Sequence, residues 1–279
     1  MFLKKKINPN SKKMAKSSWI PTKREKQALH DHEYVSELGR VDQIWPYLER
    51  THGQIPALDA PYAIDPENYN FAELSKNIDM ASTAFSHFGI EKGDVVALFS
   101  ENGPRWLIAD QGIMRLDAQD AVRGAFAPVQ ELLYILEDSG AIALIVQNSE
   151  LWERLALSEV QKSRLKLVLQ LEGAPAEGVI GWESFLSEGR GKTTPNSYKN
   201  RDQNSAKTTF ATILYTSGTT GRPKGVPLTH GNLLHQMRSL ACVAYPLPGA
   251  PVLSVLPIWH SYERSAEYYF LSCACTQTY

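Results

Sequence analysis

Residues 215–225 of this 279-residue chain are Tyr215-Thr-Ser-Gly-Thr-Thr-Gly-Arg-Pro-Lys-Gly225. The ten residues after Tyr215 contain four hydroxyl side chains, three glycines and one lysine. Glycine lets backbone N–H groups approach an anion closely, and each donor aimed at a charged oxygen contributes about 1.5–3 kcal/mol. The composition of this stretch therefore predicts a loop that binds phosphate groups.

The loop departs from the Walker pattern, in which Gly-Lys is followed by Ser or Thr at the start of a helix. Here Lys224 lies between Pro223 and Gly225, and the flanking residues predict strands over 209–215 and 226–230. The loop is therefore predicted at the tip of a hairpin, followed by a helix over 232–243. The alternative is a Gly/Ser/Thr loop with no ligand, which the complete ten-residue string disfavours.

Short apolar runs alternate with amphipathic segments before the loop. Residues 94–99 and 141–146 predict buried strands, and residues 165–170 predict a third strand as a candidate sheet edge. Helices are predicted over 70–88, 103–114 and 130–137, whereas 34–62 are predicted as helix and loop and 188–203 as a surface loop. The alternation indicates an α/β fold, with a parallel sheet flanked by helices on both faces.

Charge is unevenly distributed along the chain. The formal net charge is -1, so nucleic acid is not an expected partner. Residues 1–30 form a Lys-rich segment that we expect to be a disordered tail, with residues 31–279 as the folded part. Peripheral contact of the tail with an anionic membrane surface is the alternative.

Three cysteines stand at positions 242, 273 and 275. An odd, small number does not make a disulfide framework, and the pair at 273 and 275 lacks the four ligands of a zinc site. We therefore expect small buried residues and a reduced, cytoplasmic setting.

The string from Tyr215 to Gly225, followed by Leu228-Thr-His230 and Asn232, resembles the signature of the adenylate-forming ligases. These include acyl-CoA synthetases, luciferases and peptide-synthetase adenylation domains. The segment from Ser254 to Arg264 is similar to one in long-chain fatty-acid synthetases. Ala121-Val-Arg-Gly124, with residues 131–140, resembles enzymes that load fatty acids onto acyl carrier protein. The resemblance covers residues 34–279 and implies multi-layered α/β sheets flanked by helices.

The resemblance implies a reaction in two steps. A fatty carboxylate attacks the α-phosphorus of ATP, releasing pyrophosphate, and the thiol of coenzyme A or of carrier-protein phosphopantetheine then displaces AMP. ATP, Mg²⁺, a long-chain fatty acid and acyl carrier protein are thus expected partners. His260 is implied as catalytic and Trp259 as lining the acyl tunnel, and no residue is assigned to a metal. The implied phosphate-binding residues are Thr216, Ser217, Gly218, Thr219, Thr220, Gly221, Lys224 and Gly225.

This sequence also departs from the family. The adenine-binding motif, the Thr-Glu pair serving Mg²⁺, the ribose-binding Asp and the lid Lys would all follow Tyr279. We therefore expect an incomplete N-terminal domain that binds ATP poorly and does not turn over by itself. Asp117 and Ala274 stand where relatives have glycine. Glu263 and Arg264 are equally explained as a salt bridge on a helix face and are left out of the catalytic set.

Two other functions stay open at this stage. One is an adenylating domain for an amino acid or aryl acid, which the segment from Trp259 to Glu263 disfavours. The other is a non-catalytic nucleotide-binding remnant.

Overall fold

The computed structural model describes residues 22–64, 66–192, 207–216, 222–241, 244 and 246–279. In these ranges the chain forms two β-sheets with helices packed between and around them. The strands are β1 Pro56–Ala60, β2 Glu67–Asn70, β3 Val95–Phe99, β4 Gln119–Arg123, β5 Ala143–Val146, β6 Leu167–Gln170, β7 Ile180–Gly181, β8 Phe210–Thr216, β9 Lys224–Thr229, β10 Pro251–Leu253 and β11 Thr276–Thr278. The helices are α1 Lys23–Asp31, α2 Ile44–His52, α3 Phe71–His87, α4 Pro104–Met114, α5 Val129–Asp138, α6 Ser149–Leu155, α7 Glu159–Lys162, α8 Trp182–Gly189, α9 His230–Leu240 and α10 Ser261–Ser272.

The larger sheet has the strand order β7-β6-β5-β3-β4-β8-β9. Its strands pair in parallel except for β8 and β9, which form an antiparallel hairpin. The predicted parallel sheet and the predicted hairpin are both confirmed. After β3 the chain adds β4 on one side of it and then crosses back to add β5 on the other side, so the direction of strand addition reverses at β3. Such a reversal opens a crevice at the carboxyl edge of the strands, where ligands bind in open α/β sheets.

Side chains of the larger sheet alternate between two apolar clusters. Val96 and Leu98 of β3 pack in the cluster that contains residues of α3 and α4. Ala97 and Phe99, the intervening residues, pack in the cluster that contains residues of α5 and α6. This period of two is the geometry of a strand buried on both faces. Helices therefore cover both faces of the sheet, as predicted.

The smaller sheet has the order β10-β11-β1-β2 and brings residues 276–278 beside residues 56–60. Strand β11 pairs in parallel with both β1 and β10. Strand β1 lies in the segment predicted as helix and loop, and that prediction is wrong for residues 56–60. Its run Pro56-Ala-Leu-Asp-Ala60 is too short and too mixed to show a clear period of two.

Three further differences concern the boundaries of predicted elements. Strand β6 is internal and not an edge, because the two-residue strand β7 pairs outside it. Helix α9 begins at His230, two residues early, because Thr229 caps it. The predicted loop over 188–203 begins after Gly189, the last residue of α8, and its residues 193–203 lie outside the described ranges.

The N-terminal part of the described chain packs against α10. Helix α1 starts at Lys23, inside the segment predicted as a tail, whose residues 1–21 lie outside the described ranges. The buried His32 Nε2 lies 2.8 Å from the Ser272 hydroxyl, and burial lowers the pKa of His32 to about 4. In the described ranges no helix has the length and apolar character needed to cross a bilayer.

The cysteine prediction is partly tested. Cys275 is buried and Cys273 half-buried, and both are free thiols. Position 242 lies outside the described residues.

A buried ionic cluster joins α10 to the larger sheet. Arg264 is fully buried, and its guanidinium pairs with the carboxylates of Asp110 in α4 and Asp120 in β4. It also donates to the Thr212 hydroxyl of β8 at 2.7 Å and, through Nε, to the Tyr268 hydroxyl at 2.8 Å. Burial raises the pKa of Asp120 to about 7, and the nearby Asp110 adds to the rise while Arg264 opposes it.

Glu263 and Arg264, which the sequence suggested as a salt bridge with each other, bind different partners in the structure. The Glu263 carboxylate accepts a hydrogen bond from the Ser254 hydroxyl at 2.8 Å, while Arg264 points into the sheet. Both residues are buried, so neither lies on an exposed helix face.

Removal of the buried cation should destabilise the fold strongly. Arg264→Ala leaves Asp110 and Asp120 buried without their counter-ion, and we expect a loss of about 3–5 kcal/mol in the free energy of unfolding. Urea denaturation of the purified chain, followed by circular dichroism, measures this loss. Arg164→Ala removes an exposed arginine and should change stability by no more than about 0.5 kcal/mol. Equal stabilities of the two variants would contradict the role of the cluster.

Asp117 and Ala274, the two positions at which the family resemblance led us to expect glycine, both adopt left-handed backbone, with φ of 59° at each. This conformation brings Cβ close to the following carbonyl oxygen and costs a non-glycine residue roughly 1–2 kcal/mol. The Asp117 carboxylate also pairs with the buried guanidinium of Arg40, which offsets the cost. Ala274 has only a methyl group, so its strain has no comparable compensation.

Ala274→Gly is therefore expected to raise the free energy of unfolding by about 1 kcal/mol, because it relieves that strain. Ala266→Gly, in the middle of α10, should lower it by roughly 0.5–1 kcal/mol. Asp117→Gly should also destabilise, because Arg40 loses a carboxylate partner. Thermal denaturation of the three variants checks these signs, and destabilisation by Ala274→Gly would refute the strain argument.

Candidate functional site

The phosphate-binding string lies at the tip of the β8–β9 hairpin. Thr216, the last residue of β8, stands directly opposite Lys224, the first residue of β9, and both are exposed. Ser217, Gly218, Thr219, Thr220 and Gly221 lie outside the described residues, so their contacts with phosphate stay a prediction. The described part of the loop presents a hydroxyl and an ammonium group at one end of the hairpin.

Tyr215 and Gly225 form the base of the loop. A Cβ at Gly225 would lie 3.1 Å from the Tyr215 ring and 3.1 Å from Ile213, so the glycine lets the ring lie against the backbone of β9. The Tyr215 hydroxyl donates to Asp138 of α5 at 2.8 Å. Burial and this hydrogen bond raise the pKa of Tyr215. The geometry thus gives Gly225 a packing role, while its predicted contact with phosphate stays untested.

The residues that follow the hairpin cap a helix. The Asn232 side chain accepts from the Thr229 N–H at 2.9 Å, and the Thr229 hydroxyl accepts from the Asn232 N–H at 3.2 Å. His230 is buried, and its Nδ1 accepts from the Val41 N–H at 3.3 Å. The Thr-His and Asn of the signature therefore fix the direction of the chain after β9, as a capping box does.

Trp259 and His260 precede α10. The Trp259 ring covers Gly124, the residue after β4: a Cβ there would lie 2.5 Å from Cζ2 of the indole and 2.9 Å from the Glu101 carboxylate. Burial raises the pKa of Glu101, and backbone N–H groups of the neighbouring loop oppose the rise. His260 is the N-cap residue of α10, and its imidazole is exposed.

Strand register brings the two predicted parts of the site to one edge of the sheet. Val122 of β4 pairs with Leu214 of β8, so Gly124 and Thr216 lie at the same level two residues further along. Neighbouring strands are about 4.8 Å apart, which makes these positions close neighbours. The Trp259 ring on Gly124 and the phosphate loop after Thr216 thus share the carboxyl edge of the sheet.

Sequence reasoning missed two residues of this edge, Glu101 and Asn102. Both lie within three residues of the end of β3, and this position after a buried strand could have marked them as candidates for the site. Asn102 makes three hydrogen bonds with the segment before Trp259. Arg123, at the end of β4, pairs with Glu131 of α5 at 2.8 Å and fixes the neighbouring loop.

A cavity of about 560 Å³ lies between α9 and the start of α10. Its lining combines three leucines and a tyrosine with five polar side chains, namely Leu228, Leu233, Leu240, Tyr262, Asn232, His235, Gln236, Ser261 and Ser265. Ser261 and Tyr262 directly follow His260, so the cavity lies next to the predicted catalytic histidine. An elongated apolar group would fit such a lining.

The described residues of the hairpin tip have side chains that can interact with a phosphate-bearing ligand. Thr216 and Lys224 supply a donor and a positive charge at the exposed tip, as a phosphate group requires. In the described ranges no group of three or more His, Cys, Asp or Glu side chains is placed to hold a metal ion.

Comparison with known proteins gives a consistent assignment. The family described as AMP-binding enzyme matches residues 48–279. A chloroplastic long-chain-fatty-acid–[acyl-carrier-protein] ligase from Arabidopsis thaliana, AEE15, is 36% identical over 259 residues, which are 88% of this chain and 35% of that protein.

Solved structures show the same fold. A long-chain-fatty-acid-CoA ligase from Archaeoglobus fulgidus, FadD1, superposes with a TM-score of 0.74 at 23% identity, over 86% of this chain and 46% of that one. The N-terminal domain of FACL13 from Mycobacterium tuberculosis gives 0.71 at 20% identity, over 86% and 57%.

The chain spans about a third of the length of the curated relatives it matches. The match over residues 48–279 nevertheless includes the β8–β9 hairpin, the edge at Gly124 and the segment at Trp259. This chain therefore belongs to the AMP-binding enzyme family, with the fold of the N-terminal domain of the adenylate-forming ligases.

Proposed function

We propose that this chain carries the phosphate-binding loop and the acyl-facing segment of an acid–thiol ligase that activates a long-chain fatty acid with ATP and Mg²⁺. One observation carries the proposal. The hairpin that holds Thr216 opposite Lys224 ends at the same sheet edge as Gly124, on which Trp259 packs. A nucleotide phosphate and the carboxyl end of an acyl chain can meet only where both elements converge.

Each residue has a distinct role in this proposal. Lys224, Thr216 and the loop from Ser217 to Gly221 stabilise negative charge on the departing pyrophosphate. ATP brings Mg²⁺, which neutralises the phosphate oxygens. His260 stands between the phosphate loop and the acyl group and orients the reacting carboxylate.

A fatty acid is the acid that the surroundings of His260 favour. The cavity between α9 and α10 includes Ser261 and Tyr262, which directly follow His260, and three leucines on its lining could contact an acyl chain beside the polar residues. The relative from Arabidopsis thaliana is named as a ligase for long-chain fatty acids and acyl carrier protein. We therefore propose a long-chain acyl substrate, with acyl carrier protein or coenzyme A as the thiol acceptor.

The proposed cellular setting follows from the substrate. We propose a cytoplasmic protein with a disordered Lys-rich tail, and contact of residues 1–26 with anionic membrane surfaces, where long-chain fatty acids partition, is the alternative.

Replacement of Lys224 should greatly lower the rate of acyl-adenylate formation, the first step of the proposed reaction. ATP–pyrophosphate exchange with palmitate and Mg²⁺ is measured on the 279-residue chain alone and on a fusion with the part of the Arabidopsis ligase beyond the matched region. We expect exchange in the fusion, and a fall of about 100-fold in Lys224→Ala, because a preorganised charge on the leaving group is lost. Lys207→Ala, an exposed lysine just before β8, is the matched control and should stay within about twofold.

Each other outcome has a definite meaning. Equal losses in both lysine variants would contradict the role of Lys224. Exchange with amino acids or aryl acids instead of palmitate would show that the substrate is one of those acids and not a fatty acid. Absence of exchange with any acid in the fusion would favour a non-catalytic nucleotide-binding protein.

A further inference from the structure

Asn102 connects the end of β3 to a segment more than 150 residues later in the chain. Its Nδ2 donates to the Ser254 hydroxyl at 2.9 Å and to the Leu256 carbonyl at 2.7 Å, and its Oδ1 accepts from the Ile258 N–H at 2.9 Å. A side-chain amide has two N–H donors and one carbonyl acceptor. Every polar atom of Asn102 is therefore engaged, and all of them bind the stretch over 254–258.

That stretch has few apolar contacts of its own. Val255 and Leu256 are 70% and 46% exposed, whereas Ile258 is buried. Ile258 is the one buried apolar side chain of this stretch, so hydrogen bonds contribute much of what holds it in place. The Asn102 amide therefore helps to determine where the stretch sits, together with the Ser254 N–H, which donates to the Thr278 carbonyl at 2.9 Å, and the Ser254 hydroxyl, which donates to Glu263.

The stretch leads directly into Trp259 and His260. Trp259 lies in a slot whose floor is Gly124 and whose side is the Glu101 carboxylate, so any side chain at position 124 would displace the ring. Glu101 is the residue before Asn102, and the Ser100 N–H before it bonds the Arg123 carbonyl at 3.1 Å. The loop that holds the backbone of the stretch thus also forms the slot for the ring.

We propose that Asn102 is a positioning residue for acyl activation, which sets the Trp259 ring on Gly124 and thereby the place where the acyl chain meets the phosphate loop. This inference rests on the function proposed above. It predicts that loss of the Asn102 amide weakens the apparent affinity for the fatty acid and leaves that for ATP unchanged, because the hydrogen bonds of this side chain go to residues 254–258 and not to the described part of the β8–β9 hairpin.

The position of the ring is tested without any activity. The 279-residue chain, labelled with 5-fluorotryptophan, has six tryptophans and therefore up to six fluorine resonances, and Trp259→Phe assigns the one of interest. We expect Asn102→Ala and Gly124→Ala both to shift or broaden the Trp259 resonance. Asn148→Ala is the matched control, since Asn148 is half-buried at the same sheet edge but caps α6. It should leave that resonance unchanged.

The effect on the reaction is tested in the exchange assay of the fusion. Asn102→Ala should raise the apparent KM for palmitate about tenfold, the equivalent of one to two lost hydrogen bonds. The KM for ATP should stay within twofold. Gly124→Ala should reproduce this split, because it moves the same ring from the other side. Asn102→Asp, which retains the acceptor for Ile258 but loses both donors, should fall between Asn102→Ala and the parent.

Three results would overturn the inference. An unchanged Trp259 resonance in Asn102→Ala would show that the amide does not place the ring. A moved ring with an unchanged KM for palmitate would show that the amide has a structural role only. Absence of exchange in the unsubstituted fusion would remove the proposed function and the acyl role of Asn102 with it, while the fluorine spectra would still decide whether Asn102 places the ring.

Discussion

Arg264 joins α10 to three earlier elements: α4 through Asp110, β4 through Asp120 and β8 through Thr212. The guanidinium is fully buried, so the two carboxylates are its main compensation for the loss of hydration. Burial raises the pKa of Asp120, and because the cluster contains two acids for one cation, the neighbouring Asp110 adds to the rise. This ionic contact fixes α10 over the sheet, and the candidate site depends on where α10 begins.

His260 caps α10 one turn before Arg264, and the Arg264 N–H bonds its carbonyl. Asp120 and Thr212 each lie four residues before a position of the candidate site, Gly124 just after β4 and Thr216 at the end of β8. The cluster thus locks the start of the helix to the two strands whose carboxyl ends form the site. A protein that places a reacting group to within an ångström needs such rigid support, because small displacements cost rate steeply.

Sequence patterns predicted the elements whose residues are uniformly apolar or strictly amphipathic, such as β3, β5, α3 and the β8–β9 hairpin. Strand β4 was not predicted as a strand, and its residues 121–123 were noted only for their family resemblance, because Asp120, which pairs with Arg264 of α10, interrupts its apolar run. Glu101 and Asn102 were missed for the same reason: their partners lie at Phe126 and at 254–258. Long-range polar contacts leave no period in the sequence, so local reasoning cannot find them.

The position of the loop at a hairpin tip gives a physical reason for the large loss of exchange activity predicted for Lys224→Ala. In loops that open a helix, the helix N-terminus contributes the equivalent of about half a positive charge toward the phosphate. Here the strand β9 follows the loop, and strands have almost no net dipole. In the described part of the loop, positive potential therefore comes from the exposed side chains of Arg222 and Lys224. Arg222 lies over the Tyr134 ring, with 5.9 Å between its Cζ and the ring centroid, whereas antiparallel pairing sets Lys224 opposite Thr216, where we propose that its ammonium group meets the phosphate.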